Sequence, residues 1–464
     1  MRKARRLAVV TFAIGMAAGA TPGTVRAQFC APQLYAWSPP TTNTGAGPAT
    51  APASDPSDAI YYPWNPIIYL AQGDTLYAIR KFADQGQPGG SIKWKWQSGP
   101  LAHLPSSPNP VRTRGREIIF LTSQNGFLYK LAAEQGTTLL SRDTRRRLGG
   151  VLVCPFDGIQ TTPAVQLYDL SNSAFQAAAD AAGHCGDDLI FIATANSCGD
   201  ETSNRVVAFW ASDLSIHWTF NADFSKKLDQ CVGGLTIDYA TNSLFFGTDL
   251  SDAHPQDQNS LFALDAITGS LSWSTHSSAI LNRPLLLAGR LYVADKPGSV
   301  MAYDPAGNGM GGGAPLWSVP LPVASPGAII SRNMAHGPAV GPFAGRLLVV
   351  DTGGTLYAIQ DNDTSGTVLW YLFAENGVRY CTSPAVLEFG ASTLAYVGRD
   401  DGSVQQIRLA ASKGNPEGAM AVTPFASDAY DPAIDVEPQG YRLVIAAGDR
   451  VTRLLLPLCS VPPY

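Results

Sequence analysis

Short apolar runs separated by turn residues fill the chain from Pro66 to its end. The clearest example is Asn259 to Trp273, which reads NSLFALDAITGSLSW. It reads as a short alternating strand, an Asp-x-x-Thr-Gly turn and a second strand ending in tryptophan. Runs this short, bounded by turn residues, predict paired β-strands rather than helices.

Looser copies of the same stretch recur. A first copy holds Pro66-Ile-Ile-Tyr-Leu70, Gly73-Asp-Thr-Leu-Tyr-Ala-Ile79 and a strand carrying Trp94 and Trp96. A second holds Glu117 to Thr122 and Asn125 to Leu131, with Leu139 where the tryptophan would fall. The third runs from Thr162-Pro-Ala-Val165 to Trp218, and its alanine-rich Ser173 to Ala182 predicts one short helix. The fourth contains Leu244 to Thr248 and the opening stretch. The fifth, sixth and seventh begin at Arg283-Pro-Leu-Leu-Leu287, Gly337-Pro-Ala-Val340 and Ser383-Pro-Ala-Val386. The eighth has Asp431-Pro-Ala-Ile434, Leu443 to Ala447 and Val451 to Leu455, and lacks a fourth strand.

Each unit is four short antiparallel strands, repeating at roughly 40 to 55 residues. One such sheet cannot bury both faces alone, and radial packing around an axis solves this. The prediction is an all-β fold, an eight-bladed β-propeller of four-stranded blades, with seven blades as the alternative. A β-sandwich gives no reason for one pattern to repeat so often. Gln33-Leu-Tyr-Ala-Trp-Ser38 resembles a fourth strand with Trp37 in the tryptophan place, so the N-terminal strand is expected to complete the last blade and leave no open edge. Cys30 and Cys459 would then lie together, and a disulfide between them would lock that seam.

Composition adds an address. Arg2, Lys3, Arg5 and Arg6, the apolar run Leu7 to Ala20 and the small residues around Val25-Arg26-Ala27 predict a signal peptide over residues 1–27. That run is shorter than the roughly 20 apolar residues a spanning helix needs. No cysteine follows a lipobox. The mature chain is expected to be a single exported domain, periplasmic or secreted, acting as a monomer, with a Pro/Thr/Ala-rich connection over 39–57. A net charge of −5 gives no basic face for nucleic acid. Seven cysteines without a C-x-x-C pair point to disulfides rather than zinc.

The segment Ala263-x-Asp265-x-x-Thr268-Gly269-x-x-x-Trp273 resembles the tryptophan-docking motif of the pyrroloquinoline quinone (PQQ) type repeat. Asp and Thr would cap the turn, Gly would take positive φ, and the indole would wedge between blades with its N–H on backbone. Degenerate versions cover nearly the whole mature chain, which is thereby similar to the quinoprotein-like propeller superfamily. That superfamily includes quinone-dependent dehydrogenases and cofactor-free scaffolds such as the BamB-type component of outer-membrane protein assembly. The alcohol-oxidising dehydrogenases carry a vicinal cysteine pair, and no Cys-Cys occurs here. Their calcium-binding carboxylates and aspartate base find no matching motif either. The resemblance therefore implies a binding or scaffold module for protein partners, without cofactor. The alternative is a PQQ- and calcium-dependent dehydrogenase of the kind lacking the cysteine ring.

Propeller ligands sit over the axis, among the loops entering each innermost strand. The entries read from sequence are Trp64-Asn65, Asn282-Arg283, His336-Gly337, Tyr380-Cys381 and Tyr430-Asp431. Asn282, Arg283, His336, Tyr380 and Asp431 are the candidate axial residues; Arg283, Asp431 and His336 would meet an anionic or polar ligand, or Arg283 and Asp431 would form an ion pair and His336 would cap a turn. Asp361-Asn-Asp363-Thr-Ser-Gly366 begins like a calcium loop, but Leu372 stands where its twelfth ligand should, so it predicts a polar hairpin. Histidine spacing suggests no metal site. Cys154, Cys198, Cys231 and Cys381 map to the same face, where Cys198 and Cys231 are expected to pair, with Cys154 as a competitor. The loop Ser251 to Gln258 is a candidate partner contact.

Overall fold

In a computed structural model the chain is described over residues 33–37, 67–80, 86–88, 91–99, 103–104, 107–113, 116–145, 147–148, 151–152, 158–195, 204–222, 228–249, 259–307, 313–322, 327–337, 343–374, 377–389, 392–409, 414–421, 433–437, 440–447 and 450–455. The signal segment, the 39–57 connection, Cys30, Cys154, Cys198, Cys459, Asp431 and the 251–258 loop lie outside these residues.

Eight sheets follow one another along the described chain, each a meander in which a strand pairs with its successor. They span 67–97, 109–143, 164–220, 235–275, 285–320, 335–373, 385–421 and 433–455, and are called sheets 1 to 8. Sheet 1 shows three strands and the others four, consistent with a β-propeller. A two-stranded hairpin, Arg147–Leu148 with Val151–Leu152, follows sheet 2.

Sheet 8 takes its fourth strand from the other end of the chain. Gln33–Trp37 pairs antiparallel with Arg450–Leu455, as the missing strand of the last repeat required. Register corrects one detail. In sheets 1, 3, 4, 5 and 6 the tryptophan faces an alanine of the third strand: Ala78, Ala208, Ala263, Ala302 and Ala358. The corresponding residue of sheet 8, Arg453, faces Tyr35, and Trp37 lies two residues away opposite Val451.

The core lies between the sheets. In Leu189–Ala193, Ile190 and Ile192 pack toward sheet 2 with Phe120 and Leu128, while Leu189, Phe191 and Ala193 pack toward sheet 4 with Phe246 and Phe262. A strand buried on both faces gains from an apolar residue at every position, which is why middle strands read as continuous apolar runs. Fourth strands alternate instead and leave Leu139, Ile216, Leu271, Tyr371 and Phe373 exposed.

The tryptophans couple successive sheets. Trp94 donates its indole N–H to the Ala133 carbonyl at 3.0 Å, Trp218 to Ala266 at 2.9 Å, and Trp273 to Pro305 at 2.9 Å. Each acceptor belongs to the third turn of the next sheet. The glycines of those turns form the seat of the ring: a Cβ on Gly136, Gly269 or Gly307 would lie 2.4, 2.6 or 2.8 Å from the preceding indole. These glycines therefore serve twice, through positive φ and through the close approach.

Sheet 2 breaks the pattern and shows what sustains it. Register places Leu140, not Leu139, opposite Lys130, in the tryptophan position; Leu139 is the bulge residue and is exposed. With no indole to receive, the turn of sheet 3 carries buried Leu214 at φ 57 where sheet 4 has Gly269. Lys130 donates instead to the Ala211 and Ser212 carbonyls, at 2.6 and 3.0 Å.

The predicted helix is present as Ser173–Ala181. It is capped by Asn172, whose side chain accepts from the Ala174 and Phe175 amides. Among the described residues no helix is long and apolar enough to cross a membrane.

Candidate functional site

The loops entering the first strands are stitched to one another from sheet to sheet. Asn109 donates to the Pro163 carbonyl at 2.7 Å and Thr122 to the Thr161 carbonyl at 2.9 Å, joining sheets 2 and 3. The Tyr239 hydroxyl donates to the Val165 carbonyl at 2.7 Å, joining sheets 4 and 3. The Arg283 amide donates to Asn333 Oδ1 at 2.8 Å, and the Asn333 amide to Ser383 Oγ at 3.0 Å. Short polar entry residues thus satisfy backbone groups that the strand ladders leave over.

A cavity of about 460 Å³ opens over these entries, lined among others by Asn109, Thr161, Gly234, Tyr239, Arg283 and Asn333. That volume is in the range of a small-ligand site. Among the described residues no Asp or Glu lines it.

Arg283 projects from the entry of sheet 5. Its Nε donates to Thr236 Oγ1 at 3.2 Å, while Thr236 donates to the Pro284 carbonyl and is thereby held in place. Arg283 remains exposed to solvent, yet protein surrounds it closely enough for desolvation to lower its pKa. The two properties belong together in a side chain reaching into a water-accessible hollow. An arginine so placed stays charged at neutral pH. Among the described residues no carboxylate forms an ion pair with it. Gly233 and Gly234 permit the close packing: a Cβ on Gly233 would lie 2.3 Å from the Asn282 carbonyl group. Thr161 adds a second polar group, 2% exposed, whose Oγ1 has no hydrogen-bond partner.

Of the described axial candidates, Asn282, Arg283, His336 and Tyr380, Arg283 alone lines this cavity. Asn282 is fully buried and braces its own sheet, its side chain bonding both the amide and the carbonyl of Ala294. Tyr380 is 1% exposed and packs in the core between sheets 6 and 7. His336 is exposed, holds the Gly337 carbonyl through Nδ1 and lies away from the cavity. The first strand of sheet 6 is Ala335–His336, so its entry residue is Asn333 rather than His336. Similarly, Ile67–Gln72 has second-strand register, Tyr69 facing Ala78 as Tyr292 faces Ala302, so the entry assigned at Trp64-Asn65 does not open a first strand.

Of the expected Cys198–Cys231 pair, Cys198 lies outside the described residues. Cys231 is a buried free thiol, its Sγ 3.9 Å from the Gly234 carbonyl, and burial pushes its pKa up to about 12. The Asp361 hairpin is polar but not a calcium loop. Asp361 accepts from Arg290 at 2.7 Å, from Tyr292 at 2.6 Å and from the Trp317 indole at 3.0 Å, replacing at the seam of sheets 5 and 6 the carbonyl that serves other tryptophans.

The fit to a calcium-bound quinone can be judged from the donor set. The cavity lining supplies no carboxylate to ligate calcium or act as a base, and the described residues contain no cluster of three His, Cys, Asp or Glu side chains able to hold a metal. The described residues do not fit that group.

Comparison with solved structures places the fold. BamB from Moraxella catarrhalis matches with a TM-score of 0.54 at 13% identity, covering 85% of this chain and 93% of that one. A europium-containing methanol dehydrogenase matches at 0.58 and 13%, covering 90% and 85%. Quinohemoprotein alcohol dehydrogenase from Comamonas testosteroni matches at 0.53 and 11%, covering 84% and 72%. No protein-family model and no curated protein sequence matches the chain. The chain has a β-propeller fold.

Proposed function

We propose that this chain is an exported, eight-bladed propeller that serves as a binding module for a protein partner and works without quinone. The observation that carries the reading is the chemistry of the central cavity. It offers hydroxyls, amides and one guanidinium, and among the described residues it lacks the carboxylates that calcium ligation and proton abstraction would require. Such a lining recognises a polar or anionic group without transforming it. Large apolar side chains left exposed on fourth strands, Tyr371 and Phe373 above all, give a partner protein further surface to cover. The likeness to BamB on one side and to dehydrogenases on the other concerns the fold, so the site has to decide between them.

The deciding experiment is a titration of the purified mature protein with PQQ and calcium, followed by absorbance and melting temperature. The expected result is no calcium-dependent quinone binding and no dye reduction at high micromolar quinone, together with recovery of a specific protein on affinity capture from the native host. Saturable binding with dye reduction in the presence of alcohols or sugars would overturn the proposal.

A further inference from the structure

We infer that the central cavity is a receptor for a carboxylate group, with Arg283 as the residue that recognises it. The inference rests on the cavity being a binding site and adds the chemistry of what it binds.

The guanidinium has five N–H donors in a fixed fork. The single side-chain bond that Arg283 makes is Nε to Thr236. The two terminal nitrogens, with four donors, therefore remain for a ligand in a cavity of about 460 Å³. A carboxylate matches two parallel N–H groups in one plane, whereas a neutral amide or hydroxyl supplies one acceptor to a fork that presents two. The site is also prepared. Thr236 is tied to the Pro284 carbonyl and fixes the inner end of the guanidinium, while the Arg283 backbone is tied to Asn333. Holding the fork in place before binding reduces the rotamer entropy lost on binding.

The second observation is Thr161. The residue lines the same cavity, and its buried hydroxyl has no partner among the described residues, whereas nearby Asn109, Thr122, Tyr239 and Asn333 are all bonded. An orphaned buried hydroxyl is destabilising unless something satisfies it. A ligand oxygen entering the cavity beside Thr161 would do so. Among the described residues no carboxylate lines the cavity to repel such a ligand or to neutralise Arg283.

Two sources carry this chemistry, a small free carboxylic acid and the C-terminal carboxylate of a partner chain. Calorimetric titration of the mature protein separates them, using succinate as one probe and a short capped peptide with a free C-terminal carboxylate as the other. The amide of the same peptide is the control. Saturable binding of succinate, of the free-acid peptide or of both is expected, with the amide at least 10-fold weaker and affinity falling as salt is raised. Arg283→Met should weaken binding by about 10- to 100-fold, the range for losing charge-assisted hydrogen bonds. Arg283→Lys should fall between, because a point charge does not replace the fork. Arg142→Gln, on an exposed fourth strand, should change nothing. Thr161→Val keeps the charge and should weaken binding by a few-fold.

Binding of succinate alone would assign the site to a small acid, and binding of the peptide alone to a chain end; either supports the inference. No saturable binding of either probe to 10 mM, or equal affinity for free acid and amide, would overturn it without any variant having to fold. So would unchanged affinity in folded Arg283→Met. Calcium-dependent quinone binding beside intact succinate binding would sink the proposed function and leave the receptor standing. Partner capture with no carboxylate binding would do the reverse.

Discussion

Replacing Gly269 by alanine separates the two demands that the repeat places on its turn glycine. Gly269 has φ of +73°, and a Cβ there would lie 2.6 Å from the ring of Trp218. Gly289 has nearly the same backbone, φ of +75°, with nothing within 4 Å of its would-be Cβ. An alanine in the left-handed region costs about 1–2 kcal/mol. Gly289→Ala should lose that and no more. Gly269→Ala should lose the same and, in addition, about 1–3 kcal/mol for forcing a methyl group into a packed contact. The indole cannot back away freely, since its N–H is bonded to the Ala266 carbonyl three residues from the glycine. The expected costs are therefore about 2–5 kcal/mol against about 1–2. Equilibrium urea unfolding, followed by tryptophan fluorescence and far-UV circular dichroism, measures both. In a Trp218→Ala background the Gly269→Ala cost should drop to the backbone value alone, which makes a double-mutant cycle. Equal costs for the two glycines, or no coupling in the cycle, would refute the claim that the glycine is a seat for the ring.

Other outcomes follow from the same structure. Leu140→Trp alone should destabilise by about 1–3 kcal/mol, because Leu214 occupies the seat an indole needs; adding Lys130→Ala and Leu214→Gly should recover stability, checked by the same urea titration. Burial acts to raise the Asp361 pKa, but hydrogen bonds from Tyr292, Arg290, the Asp363 amide and Trp317 outweigh it and hold the carboxyl below its ordinary value. A group with a depressed folded pKa contributes stability that is present above its unfolded pKa, about 3.9, and is lost as pH falls through the folded value. Asp361→Asn should thus lower stability at neutral pH and flatten the part of the acid-unfolding curve below about pH 4. Cys231, buried with its pKa pushed up to about 12, should resist alkylation at pH 8 in the native protein and react on unfolding, as read by peptide mass mapping.

Strand, turn and helix positions were legible in the sequence because they depend on residues close in the chain. The apolar runs marked middle strands, Asp265 and Gly269 marked a turn, and Ser173 to Ala182 marked the helix that runs Ser173–Ala181. Even the closure of sheet 8 by Gln33–Trp37 could be inferred, since an incomplete last repeat needs a strand from elsewhere. Finer placement was not legible. A recurring bulge after the third-strand alanine shifts the fourth strand by one residue, which put Leu140 rather than Leu139 in the tryptophan place. Sequence spacing cannot show which residue a bulge leaves over.

The candidate site divides in the same way. Arg283-Pro284 was readable as a strand entry, as was Thr162-Pro163, but Asn109, Thr161, Gly234, Tyr239 and Asn333 gave no signal pointing to a shared cavity. Asn282 and Tyr380 were chosen for being beside entries, and the structure turns them into the core. The sequence by itself determined the repeat, the pairing of successive strands and the need for a strand to complete the last sheet, because alternation and turn chemistry act over a few residues. Only the tertiary structure decided that Gly269 receives Trp218, that Leu214 answers the missing tryptophan of sheet 2, and that Arg283 faces a cavity shared with Thr161, Tyr239 and Asn333. Each of those depends on side chains from different sheets meeting across a seam or over the axis, and no local pattern records that distance.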